Sequence, residues 1–173
     1  NGTSGHRITV ASTGAANSGG FGNVGTAWSL GGKIQASYVS FSKIGTSTLP
    51  MLTFRGGTSA YTGFFDNCLI TDCGKIYSSH NVAAGATVRF RQTSFKGTPA
   101  SSDGRVIELS LAAGTHTGIT FDRVRSIGQI YCGGATSGVL GVSWSDVMSQ
   151  SVGTTVCPVD FTANPWGGTY DLT

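Results

Sequence analysis

Polar and apolar positions alternate along a stretch of the chain that occurs twice. Residues 62–77 read TGFFDNCLITDCGKIY, and residues 117–131 read TGITFDRVRSIGQIY. Both copies begin with Thr-Gly, reach a Phe-Asp pair at Phe65 and Phe121, and end with Gly-Lys/Gln-Ile-Tyr. After each Phe, the third and fifth residues are apolar or small, and the first, second and fourth are mostly polar or charged. This period of two predicts short strands with one buried face.

Shorter copies of the same pattern lie before, between and after these two. Their anchor positions are spaced 29, 25, 31 and 23 residues apart and are Ala36, Phe65, Phe90, Phe121 and Trp144. The third residues after the anchors are Val39, Cys68, Thr93, Val124 and Val147, and the fifth are Phe41, Ile70, Phe95, Ser126 and Ser149. An irregular repeat of about 27 residues with strands, turns and no helical period is typical of one coil of a solenoid.

The pattern apolar-x-Phe-Asp/Asn-x-apolar-x-apolar, with Gly at the corners, runs from about Lys33 to Phe161. It resembles the right-handed parallel β-helix superfamily, the fold of pectate-lyase-like enzymes and phage tailspikes. The resemblance implies an all-β, right-handed parallel β-helix solenoid of about five to six coils. We therefore expect Phe65, Phe90, Phe121 and Trp144 to stack in one column. Residues 1–32 are predicted to form an N-terminal segment with a first strand and a flexible loop. Residues 33–173 are predicted to form the β-helix domain, which could be a segment of a longer chain.

Composition narrows the classes of function. Charged residues make up 11% of the chain and the net charge is +3, with Lys and Arg scattered, which does not favour nucleic-acid binding. Nine Phe, five Tyr and three Trp distinguish the chain from a disordered one. No apolar run approaches the roughly 18 residues of a membrane-spanning helix. Together with the resemblance, these features lead us to expect an extracellular or virion-surface protein that neither binds nucleic acid nor inserts into a membrane.

The charged residues that the repeat aligns are the candidate catalytic groups. The column after the anchors contains Asp66, Arg91 and Asp122, and the next column contains Arg123 and Asp146. The resemblance implies a sugar-binding or lyase groove, with carboxylates as acids or Ca²⁺ ligands and arginine as a base. The alternative is an exposed ladder, Asp66–Arg91–Asp122 with Arg123 facing Asp146, that fixes the coil register at about 0–1 kcal/mol per pair. Alternating sign favours the ladder, and carboxylates interleaved with arginines do not favour a metal site, so we expect no metal and no cofactor.

Two further sets of residues are weaker candidates. Tyr38, Tyr61 and Trp166 carry rings that could stack on sugar faces. Cys132 and Cys157 are 25 residues apart, about one coil, so they form either a disulfide or an unbonded stack in the core.

Two classes of function follow, and fold alone does not separate them. The favoured hypothesis is a structural or adhesive module of a virion appendage, tailspike-like or fibre-like, or of a bacterial surface protein, with a polysaccharide as a candidate ligand. Residues 164–173 look like the opening of a further coil, whose edge needs a cover. We therefore expect a homo-oligomer or contact with other virion or surface subunits. The alternative is a secreted polysaccharide lyase or glycoside hydrolase. Enzymatic activity is therefore left open, and the hypothesis without enzymatic activity is the favoured one.

Overall fold

The computed structural model describes residues 1–12, 33–46, 50–54, 62–78, 87–97, 104–111, 114–134, 138–150 and 159–160. These residues contain strands and corners. In chain order the strands are β1 (Ile8–Ala11), β2 (Lys33–Ser37), β3 (Val39–Ser42), β4 (Leu52–Phe54), β5 (Thr62–Asp66), β6 (Leu69–Thr71), β7 (Ile76–Ser78), β8 (Thr87–Arg91), β9 (Ser94–Lys96), β10 (Arg105–Leu111), β11 (Gly114–Asp122), β12 (Arg125–Ile127), β13 (Gln129–Gly134), β14 (Gly138–Ser145), β15 (Met148–Gln150) and β16 (Val159–Asp160).

The strands form three sheets, and strands that neighbour one another in a sheet run parallel. Sheet 1 has the order β1-β3-β6-β9-β12-β15, sheet 2 the order β4-β7-β10-β13-β16, and sheet 3 the order β2-β5-β8-β11-β14. After β1, the chain visits sheet 3, sheet 1 and sheet 2 in that order, five times over. We call each visit to the three sheets a round. The prediction of an all-β protein is confirmed, with parallel sheets and with no helix in the described residues.

The register between rounds is the one that the sequence repeat predicts. Ala36 pairs with Phe65, Phe65 with Phe90, Phe90 with Phe121, and Phe121 with Trp144. All five anchors therefore occupy one row across sheet 3. A slip of one residue would turn each strand over and expose its apolar face, so the alternation of apolar and polar residues around the anchors excludes such a slip.

Three anchor side chains form a continuous aromatic stack. The rings of Phe65 and Phe90 are 5.1 Å apart and inclined by 11°, and those of Phe90 and Phe121 are 5.4 Å apart and inclined by 13°. All three side chains are fully buried. The predicted column is thus present for these residues, and the backbone of Trp144 lies in the same row.

The core lies where the inner faces of the three sheets meet. Sheet 2 contributes Leu52, Ile76, Ile107 and Ile130, which pair in one row and are all buried. Sheet 1 contributes Phe41, Ile70 and Phe95, which also pair in one row. Branched aliphatic and aromatic side chains suit such rows because they fill a pleated surface. Each round therefore buries its apolar residues only with the help of the round before and the round after it.

The corner from sheet 3 to sheet 1 has the same conformation in every round. The residue after the strand of sheet 3 has a positive φ of 49–54° in all five rounds, at Tyr38, Asn67, Gln92, Arg123 and Asp146. This left-handed conformation is unfavourable for residues other than glycine. It is offset by backbone bonds between rounds: the N–H of Asn67 donates to the carbonyl of Arg91 at 2.8 Å, and that of Gln92 to Asp122 at 2.8 Å. The corner is therefore a second ladder that holds the rounds in register.

The corner that follows sheet 1 also has positive φ, at Lys43, Asp72, Gly97 and Gly128. Gly97 shows why a side chain is excluded at one of these positions. A Cβ atom there would lie 1.9 Å from Oδ1 of Asp72, and φ is +79°. Glycine at residue 97 thus accommodates both the backbone conformation and the carboxylate of the preceding round.

We predict that Phe90→Ala lowers the free energy of unfolding by about 3–5 kcal/mol, because it removes the middle ring of the aromatic stack and leaves a cavity. Phe90→Leu, which fills more of the site, should cost about 1–2 kcal/mol. Urea unfolding followed by circular dichroism measures both changes. Arg91→Ala is the matched control, since it alters the adjacent exposed residue and should cost no more than about 1 kcal/mol. A Phe90→Ala cost as small as that of the control would contradict the role of the stack.

Candidate functional site

Asp66 is the centre of a charged cluster on the outer face of sheet 3. It follows Phe65 in β5 and therefore points away from the core. Arg89, in the next round, donates to both carboxylate oxygens of Asp66, from Nε at 3.1 Å and from Nη2 at 2.6 Å. Nε of Arg91 lies 3.4 Å from Oδ1 of the same carboxylate. The guanidinium of Arg89 also lies over the ring of Phe64, 4.4 Å from its centroid. A two-point arginine–carboxylate bond is among the stronger polar contacts in proteins.

The predicted column Asp66–Arg91–Asp122 is in register, but its exposure differs from the prediction. Asp66 pairs with Arg91, and Arg91 pairs with Asp122 across the sheet. The prediction that the whole column is exposed is wrong for Asp66, which is buried with 8% of its surface exposed. The reason is that two arginines cover it, and the stronger contact comes from Arg89, which the predicted column did not contain. Arg91 keeps 44% of its side chain exposed.

Asp122 is bound within its own round. It accepts from Nε of Arg123 at 3.0 Å and from Nη2 at 2.9 Å. This hydrogen-bonded contact lowers the pKa of the Asp122 carboxyl below its ordinary value, partial burial opposes the shift, and the charges of Arg123 and Arg91 add to it. Asp122 is therefore an ionised carboxylate at neutral pH and a poor general acid.

Asp146 is bound by Arg125, so the predicted pairing of Arg123 with Asp146 is replaced by another. Nη2 of Arg125 lies 2.8 and 2.9 Å from the two carboxylate oxygens of Asp146, and Nη1 donates to its backbone carbonyl at 2.6 Å. Arg123 sits at a corner with positive φ, outside the alternation of the strand, and its guanidinium binds Asp122. Arg125 begins β12 and reaches Asp146 in the following round instead.

A second charged cluster lies on the outer face of sheet 2, around Glu108. This carboxylate is bonded to the ammonium of Lys75 in the round before, and Nη1 of Arg105 lies 3.3 Å from its Oε1. Nε of Arg105 donates to Oε1 of Gln129 at 3.1 Å, and its guanidinium lies 4.1 Å from the centroid of the Tyr131 ring. Glu108 is buried with 9% of its surface exposed, and Gln129 with 2%. The cluster joins three successive rounds.

The sequence analysis missed this second cluster, although a signal for it was present. Gly74-Lys75-Ile76-Tyr77 and Gly128-Gln129-Ile130-Tyr131 are copies of one motif. Gly104-Arg105-Val106-Ile107-Glu108 is a third copy in which Val106 is an extra residue. The pairing of β10 with β13 shifts between Arg105 and Ile107, as a β-bulge requires. With this one-residue insertion allowed for, the repeat would have placed Lys75, Arg105 and Gln129 in one row.

The chemistry of both faces is that of ion pairs, most of them between rounds. Each of the four carboxylates described above is held by at least one guanidinium or ammonium group, and their partners are Arg89, Arg91, Arg123, Arg125, Lys75 and Arg105. Within the described ranges, no three His, Cys, Asp or Glu side chains lie together in a way that could hold a metal ion. A search of those ranges also finds no helix long and apolar enough to cross a membrane.

The other candidates are only partly described. Tyr38 is half-buried at the first corner, and its N–H donates to the carbonyl of Asp66 at 3.0 Å. Tyr61 and Trp166 lie outside the described residues, as does Cys157, so the sugar contacts and the Cys132–Cys157 disulfide stay predictions. Cys68 and Cys73 are free, buried thiols, and burial raises the pKa of both. A buried thiol with a raised pKa is a poor nucleophile.

We predict that a double-mutant cycle will rank the two arginines that bind Asp66. The coupling free energy between Asp66→Ala and Arg89→Ala should be about 1–2 kcal/mol, because two hydrogen bonds join these side chains and Asp66 is buried. The coupling between Asp66→Ala and Arg91→Ala should be about 0.5 kcal/mol or less, since Arg91 is largely exposed. Urea unfolding of the single and double variants measures both. Equal couplings, or the reverse order, would show that the predicted Asp66–Arg91 ladder is the dominant contact after all.

We also predict a pH dependence from Asp122. Because its folded-state pKa is lowered, Asp122 stabilises the fold above the unfolded-state pKa of about 3.9, and this contribution is lost as the pH falls through the folded-state value. Carboxyl carbon NMR should show Asp122 titrating below its ordinary range in the native chain. Arg123→Gln should move the titration upward, and Arg105→Gln, on a different sheet, should leave it in place. An unchanged Asp122 titration in Arg123→Gln would refute the assigned cause.

Comparison of the chain with models of protein families, with curated proteins and with solved structures finds no match in any of the three.

Proposed function

We propose that the chain is a right-handed parallel β-helix and that it serves as a structural or adhesive module of a virion appendage, tailspike-like or fibre-like, or of a bacterial surface protein. The cyclic passage of the chain through three parallel sheets supports this fold. Crossovers between parallel strands are right-handed in nearly all proteins, and the spacing of about 4.8 Å between rounds gives a stack that grows along one axis. Such a stack is stiff because every round is paired along three sheets.

The observation that carries the proposal is how the carboxylates are bound. Hydrolysis of a glycosidic bond needs two carboxyl groups across a cleft, one of them held protonated as the acid. Asp66, Glu108, Asp122 and Asp146 are instead bonded to arginine or lysine. A basic side chain that acts as a base must be free to accept a proton, and the partners of these carboxylates are engaged. The charged residues therefore support a role in holding the rounds together more than a role in catalysis.

The working state that we propose is an assembly exposed to the medium. A charged content of 11% with many Gly, Ser and Thr residues suits an extracellular or virion surface that contacts other subunits. In this proposal the partners are further copies of the chain or other virion or surface subunits, and the ligand, where one binds, is a polysaccharide. No cofactor is invoked.

The test measures the oligomeric state of the chain and its ability to cleave polysaccharides. We expect light scattering of the purified chain to give an oligomer of defined stoichiometry, and we expect no change in the length of bacterial capsular polysaccharides or polyuronates incubated with it. Chain length is followed by size-exclusion chromatography, and new ends are followed by a reducing-sugar assay and by ultraviolet absorbance of unsaturated products. Asp66→Asn and Glu108→Gln are the matched variants, one for each charged cluster. Turnover that either variant abolishes, in a chain that still unfolds cooperatively, would establish the polysaccharide lyase or hydrolase instead. A monomer that binds none of the polysaccharides would contradict the structural module.

A further inference from the structure

The outer face of sheet 1 differs from the other two outer faces because, over the last three rounds, Arg125 is the one described outward side chain that is held in an ion pair. Over the last three rounds it presents a depression of about 510 Å³ that spans β9, β12 and β15. This volume is within the range of small-molecule sites. Ten residues line it, among them Phe95, Gly97, Ser126 and Ser149. The other six carry outward side chains in two rows of three: Ser94, Arg125 and Met148 in one row, and Lys96, Ile127 and Gln150 in the other.

The spacing of these side chains follows from the sheet. Arg125 pairs with Met148 and with Ser94 in register, so neighbours in a row are about 4.8 Å apart. The two rows are separated by two residues along the strand, or about 6.6 Å. The array is therefore about 10 Å long and 7 Å wide, the size of a short aliphatic chain rather than of an extended polymer.

The apolar part of the array is exposed and aliphatic. Met148 has 63% of its surface exposed and Ile127 has 39%. The stem of Arg125 adds methylene groups between them, because its guanidinium is directed to Asp146. Sugar rings are usually bound by exposed aromatic faces, and the aromatic residue of the lining, Phe95, is buried with 3% of its surface exposed. Methionine and isoleucine suit a flexible hydrocarbon chain.

The array carries two cationic side chains, Arg125 and Lys96, and Arg125 is already paired with Asp146. Lys96 is exposed, and its ammonium has no carboxylate partner among the described residues. None of the residues that line the depression is acidic. Gln150 and Ser94 add uncharged hydrogen-bonding groups at the two ends of the array. An apolar surface beside a single free cation complements a ligand with a hydrocarbon chain and one negative charge.

We propose that this depression, formed by Ser94, Lys96, Arg125, Ile127, Met148 and Gln150, binds an anionic amphiphile: an aliphatic chain that ends in a carboxylate. The chain lies on Ile127 and Met148, and the carboxylate lies against the ammonium of Lys96. The site is open, so binding is weak and reversible, with a dissociation constant in the millimolar range by the area that a short chain can bury. This inference does not depend on the proposed structural role.

The two methionines of the chain allow ligand binding in the depression to be measured directly. Met148 is exposed in the depression, and Met51 is buried in the core with 1% of its surface exposed. With ¹³C-methyl methionine, an NMR titration with octanoate, kept below its micelle concentration, should shift the Met148 methyl signal saturably and leave that of Met51 in place. Octyltrimethylammonium, with the same chain and the opposite charge, should shift Met148 less at equal concentration.

Two substitutions distinguish the contribution of the charge to octanoate binding from that of the apolar contact. Lys96→Gln should weaken octanoate binding about threefold, the size of one exposed charge pair, and Ile127→Gln should weaken it further. Lys43→Gln is the matched control, since Lys43 is also an exposed lysine after a strand of sheet 1 but lies two rounds away from the depression. It should bind as the native chain does.

Three results would overturn the proposal. The first is an unchanged Met148 signal up to the solubility limit of octanoate. The second is an equal response to octanoate and octyltrimethylammonium, which would leave no role for Lys96. The third is a response to glucuronate in place of octanoate, which would assign the depression to an acidic sugar. Light scattering at each end point shows whether association between copies of the chain, rather than the ligand, moves the signal.

Discussion

Parallel pairing between rounds is the constraint on which the rest of this structure depends. A strand of three to five residues cannot satisfy its own backbone, and an isolated strand pair is only marginally stable. Each strand in the interior of a sheet gains partners on both sides from the rounds before and after it, and the corners continue the same ladder through bonds such as Asn67 N–H to Arg91 carbonyl. The positive φ of five successive corner residues is tolerated because each of those corners is held by its neighbours. Stability in such an architecture is a property of contacts between rounds rather than within them.

Three of the four carboxylates discussed above obey the same constraint, and Asp122, which is held by Arg123 of its own round, is the exception. Asp66 is bound from the following round by Arg89, Glu108 from the preceding round by Lys75, and Asp146 from the preceding round by Arg125. In a chain with so few charges, placing them between rounds favours one register over a slipped one, in addition to the modest energy of each pair. The burial of Asp66 and Glu108 increases the free-energy difference between the native and a slipped register, because a slipped register would leave a buried carboxylate without its cation.

The row of anchors could be predicted from sequence because a period of two leaves only two orientations of each strand, and burial of Phe65, Phe90 and Phe121 excludes one of them. The ion pairs were harder to predict. A register gives the position of a Cα atom, whereas an arginine side chain extends over more than one position: Arg89 reaches Asp66 from the row beside it, and Arg125 reaches back to a corner. The cluster at Glu108 could not be predicted for a different reason. Val106 is a single extra residue in the third copy of the Gly-x-Ile motif, so this copy does not align with the others. Long side chains and bulges are the points where a regular repeat stops determining contacts.

The three outer faces consequently differ in how readily they could bind a ligand. On sheets 2 and 3 the described carboxylates are bonded to cations, so a ligand would have to displace intramolecular bonds before it could bind there. On sheet 1 the row of inward apolar residues gives way to Ser126 and Ser149, and the outward positions carry Ile127, Met148 and Lys96 beside the ion-paired Arg125. A ligand there displaces only water. Where a stack of rounds uses its charged groups for its own cohesion, binding is expected on the face where the fewest of them are ion-paired, and among the described residues this favours the surface proposed above, on the last three rounds of sheet 1.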